Sequence, residues 1–111
     1  MTTRILLADD SSAARVALGQ LLDKEGFKVR ACASGTEALA CLKAEAFEAI
    51  VTDYAMPEMT GVELIRAARE CSSGLRAIVV SGRCAPEDAP RGAAWVGEPV
   101  ALARLVAALR A

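Results

Sequence analysis

The sequence predicts an α/β fold in which an open parallel sheet of five strands carries helices on both faces. Two observations support this prediction. Short apolar runs alternate along the chain with stretches whose apolar residues recur at helical spacing. The short runs are mostly apolar throughout, as expected for parallel strands that are buried on both faces. Strands joined by helical crossovers form right-handed βαβ units, so residues 1–111 are predicted to make one doubly wound domain.

The five predicted strands are all short runs of four or five residues. They cover residues 4–8, 28–32, 49–52, 77–80 and 94–97. The four predicted helices lie between and after these runs, at residues 12–24, 36–44, 61–70 and 100–110. The last of them shows the helical pattern most clearly, because its apolar side chains recur every three or four positions.

Capping signals mark the ends of three of these helices. Ser34 and Thr60 are each followed three positions later by a glutamate, Glu37 and Glu63, which is the S/T-x-x-E pattern of a capping box. Gly26 follows the first helix, where a glycine commonly ends a helix. The helices are therefore predicted from local signals as well as from periodicity.

The stretch between the fourth and fifth strands is different. Residues 82–92 contain Pro86, Pro90 and two glycines. Proline removes a backbone donor and clashes with the preceding turn of a helix, so this stretch has room for one helical turn at most. A helix at this place in the fold is predicted to be shortened or missing.

Composition excludes several classes of protein. The chain has 13 basic and 14 acidic residues, so it lacks the basic surface of a nucleic-acid binder. Charged residues interrupt every apolar run before it reaches the roughly 18 residues that a membrane span requires. No signal-peptide pattern is found at the N-terminus, and the chain is expected to be cytoplasmic. The four cysteines lack metal-ligand spacing and are expected to be reduced core residues; they are Cys32, Cys41, Cys71 and Cys84.

Three acidic residues stand where predicted strands end. Asp9 and Asp10 follow the first strand, and Asp53 follows the third. If these strands are neighbours in a parallel sheet, the three carboxylates meet at one edge, where open α/β sheets bind ligands. Such a cluster is costly without a cation, and a set of oxygen ligands suits Mg²⁺. The simpler alternative is that the acidic pair and the serines after it only cap the first helix.

A hydroxyl follows another strand end. Ser81 comes directly after the fourth strand, and its simpler alternative is an ordinary turn residue. Asp53 is harder to explain as a local feature, because the segment that follows it contains Pro57 and cannot start a helix without interruption. The conjunction of an acidic pair, a single aspartate and a hydroxyl, each at a different strand end, favours a functional site.

Together these residues resemble the receiver domain of two-component response regulators, which has a flavodoxin-like fold. The resemblance covers the whole chain, and its most specific stretch is D-x-x-M-P-x-M-x-G, from Asp53 to Gly61. It implies that Asp53 accepts a phosphoryl group from a phospho-histidine on a sensor histidine kinase or a histidine phosphotransfer protein. It further implies that Asp10, Asp53 and the backbone carbonyl of Ala55 hold Mg²⁺, with Asp9 acting through water.

The same resemblance implies roles for two residues on the later strands. Ser81 would be the switch hydroxyl that binds the phosphoryl oxygens, and Trp95 stands where the family has its switch aromatic. The phosphorylated domain would signal to a downstream protein target or act as a phosphate sink, since an output domain does not fit within 111 residues.

Glu98 departs from the family pattern. The family has a lysine before the proline that opens the last helix, and this chain has Glu98-Pro99 there. A like charge about 4 Å from a phosphoryl oxygen would cost on the order of 4 kcal/mol at an effective dielectric constant of about 20. Either Glu98 points to solvent and Arg83 or Arg91 supplies the cation, or the switch is weak or absent.

Three functions are therefore weighed. The leading one is a phosphoacceptor receiver, at most an enzyme of its own phosphorylation and dephosphorylation. The alternative is a pseudo-receiver that binds proteins independently of phosphorylation. An independent phosphoryl-transfer enzyme acting on small molecules is disfavoured, because a haloacid-dehalogenase-type phosphatase requires a second aspartate where this chain has Ala55, and the glycine-rich nucleotide-binding motifs are missing.

Overall fold

The computed structural model describes residues 3–82, 89–97 and 101–110. Its five strands all pair in parallel and lie in the order β2-β1-β3-β4-β5. The strands are β1 (Arg4–Ala8), β2 (Lys28–Cys32), β3 (Ala49–Asp53), β4 (Arg76–Ser81) and β5 (Ala94–Gly97). The helices are α1 (Ser12–Lys24), α2 (Gly35–Ala44), α3 (Gly61–Cys71) and α4 (Leu102–Arg110). This strand order is that of the flavodoxin-like, doubly wound sheet, and it confirms the predicted fold class.

Two apolar cores sandwich the sheet, because successive side chains of a strand point to opposite faces. Leu6 of β1 lies in the core that α2 and α3 cover, together with Leu64 of α3. Its neighbour Leu7 lies in the other core, together with Leu22 of α1 and Leu105 of α4. All five of these side chains are fully buried or nearly so. The sheet therefore has helices on both faces, but the edge strand β2 is exposed at Lys28, Arg30 and Ala31, so the prediction that the strands are buried on both faces was wrong for β2.

The predicted caps are found at the helix N-termini. Ser34 Oγ accepts a hydrogen bond from the backbone N–H of Glu37 at the start of α2. Thr60 and Glu63 form a complete capping box on α3, in which each side chain accepts from the backbone N–H of the other residue. Gly26 has a φ of 94°, the left-handed conformation that lets the chain turn after α1 at no steric cost.

Several boundaries differ from the prediction by one or two residues. β3 extends to Asp53 because Asp53 pairs with Val80 of β4. α4 begins at Leu102; of the two residues predicted to precede it in the helix, Ala101 is not helical and Val100 lies outside the described residues. Residues 83–88 also lie outside them, while residues 82 and 89–93, which are described, are not helical.

Arginines fix the ends of the later elements. Arg69 of α3 donates from Nη1 to the carbonyl of Arg91 at 2.7 Å, which ties the segment before β5 to α3. Arg76 donates to the carbonyl of Leu109 at 2.6 Å and so anchors the last turn of α4. Arg110 lies 5.3 Å from the ring centroid of Phe27, a cation–π distance.

Within the described ranges no helix has both the length and the apolar character that crossing a membrane requires.

The cysteines only partly match the expected core positions. Cys32 and Cys41 are buried, but Cys71 is exposed at the end of α3, so the prediction was wrong for Cys71. Cys84 lies outside the described residues. Burial and the hydrogen bond to Cys41 raise the pKa of Cys32 to about 12, so Cys32 remains a protonated thiol at neutral pH.

Candidate functional site

The candidate site lies where the strand order of the sheet reverses. β1 pairs with β2 on one side and with β3 on the other, so the chain leaves β1 and β3 in opposite directions across the sheet. Ala8 of β1 lies opposite Thr52 of β3, which places Asp9 beside Asp53 at the carboxyl ends of the two strands. In open α/β sheets this topological switch point is the usual place for a ligand.

Three carboxylates meet at this point. One oxygen each from Asp9, Asp10 and Asp53 lies within 4.8 Å of the other two. Asp10 is exposed, and Asp9 and Asp53 are partly buried, so the cluster opens to solvent on one side. A hard divalent cation takes oxygen ligands in this way, and the donor set therefore fits Mg²⁺.

The pKa of the Asp9 carboxyl is raised by its surroundings. Burial raises the pKa of the Asp9 carboxyl above its usual range, and the negative charge of Asp10 raises it further. The backbone N–H of Ser11, which donates to Asp9 Oδ1 at 2.9 Å, and the positive charge of Arg15 act in the opposite direction. Because the burial effect is the largest, ionisation of the Asp9 carboxyl carries a cost that a bound cation would relieve.

The backbone around Asp9 is held from two sides. The Asp9 N–H donates to the carbonyl of Cys32 on β2 at 3.1 Å. Arg15 Nη1 donates to the carbonyl of Asp9 at 2.8 Å. Ser11 caps α1, with its side chain accepting from the N–H of Ala14, so Asp9 and Asp10 are not the residues that cap this helix.

Arg15 is a site residue that sequence reasoning missed. It supplies a positive charge beside the cluster, where the sequence prediction considered only Arg83 and Arg91. A signal was present, because a basic residue near the N-terminus of a helix is disfavoured by the macrodipole and calls for a compensating contact. In α1 that contact is with Asp9.

Asp53 is positioned by the tight connection from β3 to α3. Its Oδ1 accepts from the backbone N–H of Tyr54 at 2.9 Å, and its carbonyl accepts from the hydroxyl of Thr52 at the same distance. The connection closes where Gly61 N–H donates to the carbonyl of Tyr54 at 2.7 Å. Glu58 within it has a φ of 74°, which is uncommon for a residue with a side chain.

Thr52 was also missed. It is fully buried within β3, and its hydroxyl bonds to the backbone of Asp53. A single hydroxyl residue in an otherwise apolar strand was the available signal, since a buried polar group needs a partner.

Ser81 and Trp95 lie on the next two strands of the sheet. Ser81 is buried at the end of β4, one residue beyond Val80, which pairs with Asp53. Ser81 is therefore a strand residue and not an exposed turn residue. The Trp95 ring on β5 lies 5.7 Å from the ring of Tyr54, tilted by 50°, so an aromatic pair joins β5 to the residue after Asp53.

The remaining predicted residues divide into two groups. Ala55 is exposed in the connection after Asp53, and Arg91 is exposed before β5. Glu98 and Arg83 lie outside the described residues, so the predictions that concern them stay predictions.

A pocket opens beside the carboxylates. Its volume is about 400 Å³, and among the described residues it is bounded by Asp9, Asp53, Val80 and the side of α1 that carries Leu18 and Leu21. Leu21 is 43% exposed, so this side of α1 presents apolar surface next to the charged cluster.

Comparison with known proteins agrees with this geometry. The family model described as the response regulator receiver domain matches residues 5–95. The response regulator receiver protein CpdR of Brucella abortus is 38% identical over 108 residues, which cover 93% of this chain and 90% of CpdR. The response regulator MprA of Mycobacterium bovis is 31% identical over 116 aligned positions, and the chain spans 50% of the length of MprA.

A solved structure gives the same result for the fold. The chemotaxis protein CheY4 of Vibrio cholerae superimposes with a TM-score of 0.90 at 28% identity, over 99% of this chain and 98% of that one. The match in sequence and the match in fold both include the strand ends that carry Asp9, Asp10 and Asp53. This chain belongs to the response regulator receiver domain family of two-component signalling proteins.

Proposed function

We propose that Asp53 accepts a phosphoryl group from a phospho-histidine on a sensor histidine kinase or a histidine phosphotransfer protein. The observation that supports this most directly is the meeting of Asp53 with Asp9 and Asp10 within 4.8 Å at the switch point of the sheet. In the proposed reaction an Asp53 oxygen attacks phosphorus and the phosphorus–nitrogen bond to histidine breaks. The products are an acyl phosphate on Asp53 and an imidazole that takes up a proton from solvent.

The surroundings of Asp53 suit such a transfer. Phosphoryl transfer depends on alignment and charge stabilisation more than on covalent assistance. The N–H of Tyr54 and the hydroxyl of Thr52 hold Asp53 at one carboxylate oxygen and at its carbonyl. This fixes the position of the nucleophile before the donor arrives and lowers the entropic cost of reaching the reactive geometry.

Magnesium is the proposed cofactor. Asp10 and Asp53 would hold the ion directly, together with the carbonyl of Ala55, and Asp9 would contact it through water. When bound, the ion neutralises charge shared between the carboxylates and the phosphoryl oxygens. The raised pKa of Asp9 supports this role, because burial and, to a smaller extent, the negative charge of Asp10 make its ionised form costly without a cation.

Ser81 and Trp95 are the residues that we propose respond to phosphorylation of Asp53. An acyl phosphate on Asp53 adds negative charge and strong acceptor oxygens. Ser81, on the strand beside Asp53, is proposed to donate its hydroxyl to those oxygens. Movement at Tyr54 would displace Trp95, because the rings of Tyr54 and Trp95 pack against each other. The altered surface around Trp95 would then contact a downstream protein target.

Glu98 favours a second candidate function. The glutamate stands where the family has a lysine, and this would weaken any phosphorylated state if the side chain faced the site. The chain would then be a pseudo-receiver whose folded surface binds a partner regardless of phosphorylation. The three described carboxylates and Arg15 favour the phosphoacceptor, since a pseudo-receiver has no need of this cluster.

The test is phosphorylation by a small acyl-phosphate donor in the presence of Mg²⁺, followed by intact mass. The wild type should gain one phosphoryl mass. Glu98→Lys should show equal or higher occupancy, and Glu98→Gln is the matched control that removes the charge without adding a new one. Absence of labelling in the wild type together with labelling of Glu98→Lys would support the pseudo-receiver.

A further inference from the structure

A pair of thiols lies in the core between β2 and α2. The Sγ atoms of Cys32 and Cys41 are 3.5 Å apart and share a hydrogen bond. Cys32 is the last residue of β2 and is 1% exposed, and Cys41 lies on α2 and is 9% exposed. Neither residue belongs to the acidic cluster, and the proposed function makes no use of their sulfurs.

The two sulfurs are in contact, and a disulfide would require them to move closer together. A disulfide bond is about 2.05 Å long, so each sulfur would have to move by about 0.7 Å. The chain between the two residues is short, and it turns from β2 directly into α2 through Ala33 and Ser34. On the helix, the residue one turn before Cys41 is Ala38, a small, fully buried residue of the same core cluster.

We propose that Cys32 and Cys41 are a site of reversible oxidation that forms an intramolecular disulfide on exposure to a hydroperoxide. In the first step the hydroperoxide oxidises the Cys41 sulfur to a sulfenic acid, and the hydroperoxide is reduced to its alcohol, or to water if it is hydrogen peroxide. In the second step the Cys32 thiol gives up its proton to the sulfenic oxygen as its sulfur forms the sulfur–sulfur bond, and that oxygen leaves as water. Two thiols and one hydroperoxide thus give one disulfide, one alcohol and one water.

Contact between the sulfurs determines the product. A sulfenic acid with a second thiol beside it condenses to a disulfide. Cys71 has a different environment, because it is exposed at the end of α3. The same oxidant would therefore oxidise the exposed Cys71 to a sulfenic acid, while the buried pair closes to a disulfide.

The sequence allows the two outcomes to be separated by trypsin. Cleavage after Arg30 and Lys43 releases a peptide of residues 31–43 that contains both Cys32 and Cys41. Cys71 and Cys84 fall on two other peptides, residues 70–76 and 84–91. A disulfide within the pair is therefore read from one peptide mass, and any other pairing joins two peptides.

The experiment treats the folded wild type with hydrogen peroxide, blocks remaining thiols with iodoacetamide and maps the tryptic peptides. We expect peptide 31–43 to lose the mass of two hydrogens, to carry no alkyl group and to regain both thiols after reduction. The control is the Cys71→Ser/Cys84→Ser variant, which should give the same result. Cys41→Ser should leave Cys32 as a single thiol with no loss of two hydrogens.

Three outcomes would overturn the proposal. They are a peptide 31–43 with two alkyl groups after treatment, a disulfide that joins it to another peptide, and oxidation of the pair to sulfinic or sulfonic acid. A second measurement, of the melting temperature, concerns the fold. The oxidised protein should melt cooperatively, at a temperature no lower than that of the reduced protein. A lower melting temperature would show that the native geometry does not accommodate the bond.

Discussion

A Cβ atom on Gly61 would overlap the backbone carbonyl oxygen of Asp53. Gly61, the first residue of α3, therefore lies directly against the backbone of Asp53, which we propose as the phosphoryl acceptor. The same added atom would also meet the Thr52 side chain at 3.0 Å. Since a backbone carbonyl cannot move aside as a flexible side chain can, the absence of a side chain at Gly61 is a condition for the position of Asp53.

Gly61→Ala should destabilise the protein and displace Asp53. We expect the free energy of unfolding to fall by about 1–3 kcal/mol, the usual cost of overpacking. Urea unfolding followed by circular dichroism measures it. The matched control is Gly19→Ala in the middle of α1, where a Cβ would make only an ordinary 3.9 Å contact with Leu7. There the substitution should stabilise by about 1 kcal/mol, because alanine is the better helix former. Equal effects at the two positions would contradict the account.

Magnesium should stabilise the folded protein through Asp10. A ligand that binds only the native state at about 100 times its Kd contributes about 2.7 kcal/mol. We expect the melting temperature to rise with Mg²⁺, and Asp10→Asn to remove most of that rise. Asp23→Asn, which alters an exposed aspartate of α1, is the control and should keep it. A melting temperature that is indifferent to Mg²⁺ would refute the cation site.

Asp9 should make stability depend on pH. Burial raises the pKa of its carboxyl in the folded protein, so ionisation is less favourable in the folded state than in the unfolded chain. As pH rises from about 3.9, the ordinary value for aspartate, through the raised folded pKa, the wild type should lose stability relative to Asp9→Asn. Above that window the difference should stay constant.

The measurement is urea unfolding of the wild type and Asp9→Asn across this pH range with EDTA present. Asp10, Arg15 and the N–H of Ser11 all act on the Asp9 carboxyl, so their residues stay unchanged in both proteins. Asp23→Asn reports the effect of removing an unrelated carboxylate. A difference that shrinks as pH rises would contradict the stated direction.

Thr60→Ala should weaken the start of α3. The substitution removes the side-chain half of the capping box with Glu63. Loss of such a cap costs typically about 1 kcal/mol of stability, measured again by urea unfolding. Thr60→Ser retains the hydroxyl and serves as the control. A loss as large in Thr60→Ser as in Thr60→Ala would mean that the methyl group matters and the cap does not.

The sequence was sufficient for features that depend on local pattern or on strand direction. The capping residue Thr60 is predictable because Glu63 follows at a fixed spacing. Asp9 and Asp53 are predictable as neighbours because parallel strands end at the same edge of a sheet and β1 pairs with β3. In both cases one simple geometric rule relates spacing in the chain to position in space.

Other features depend on contacts between distant parts of the chain. The contact between the rings of Tyr54 and Trp95 depends on the pairing of β4 with β5. Gly35 lies so close to Met59 that a Cβ there would overlap the Met59 sulfur, and no local pattern relates these two residues. Arg15 falls between these two groups of features. Its unfavourable place near a helix N-terminus can be predicted from the sequence, but its contact with the carbonyl of Asp9 cannot.

Phosphoryl transfer to Asp53 is the central claim, and its most direct measurement uses the natural class of donor. A phospho-histidine protein is mixed with the chain and Mg²⁺, and intact mass is followed over time for the wild type and Asp53→Asn. The wild type should gain one phosphoryl mass, the gain should disappear when EDTA replaces Mg²⁺, and Asp53→Asn should remain unmodified. Equal labelling of Asp53→Asn, or a wild type that stays unmodified by a donor that phosphorylates another receiver domain, would contradict the claim.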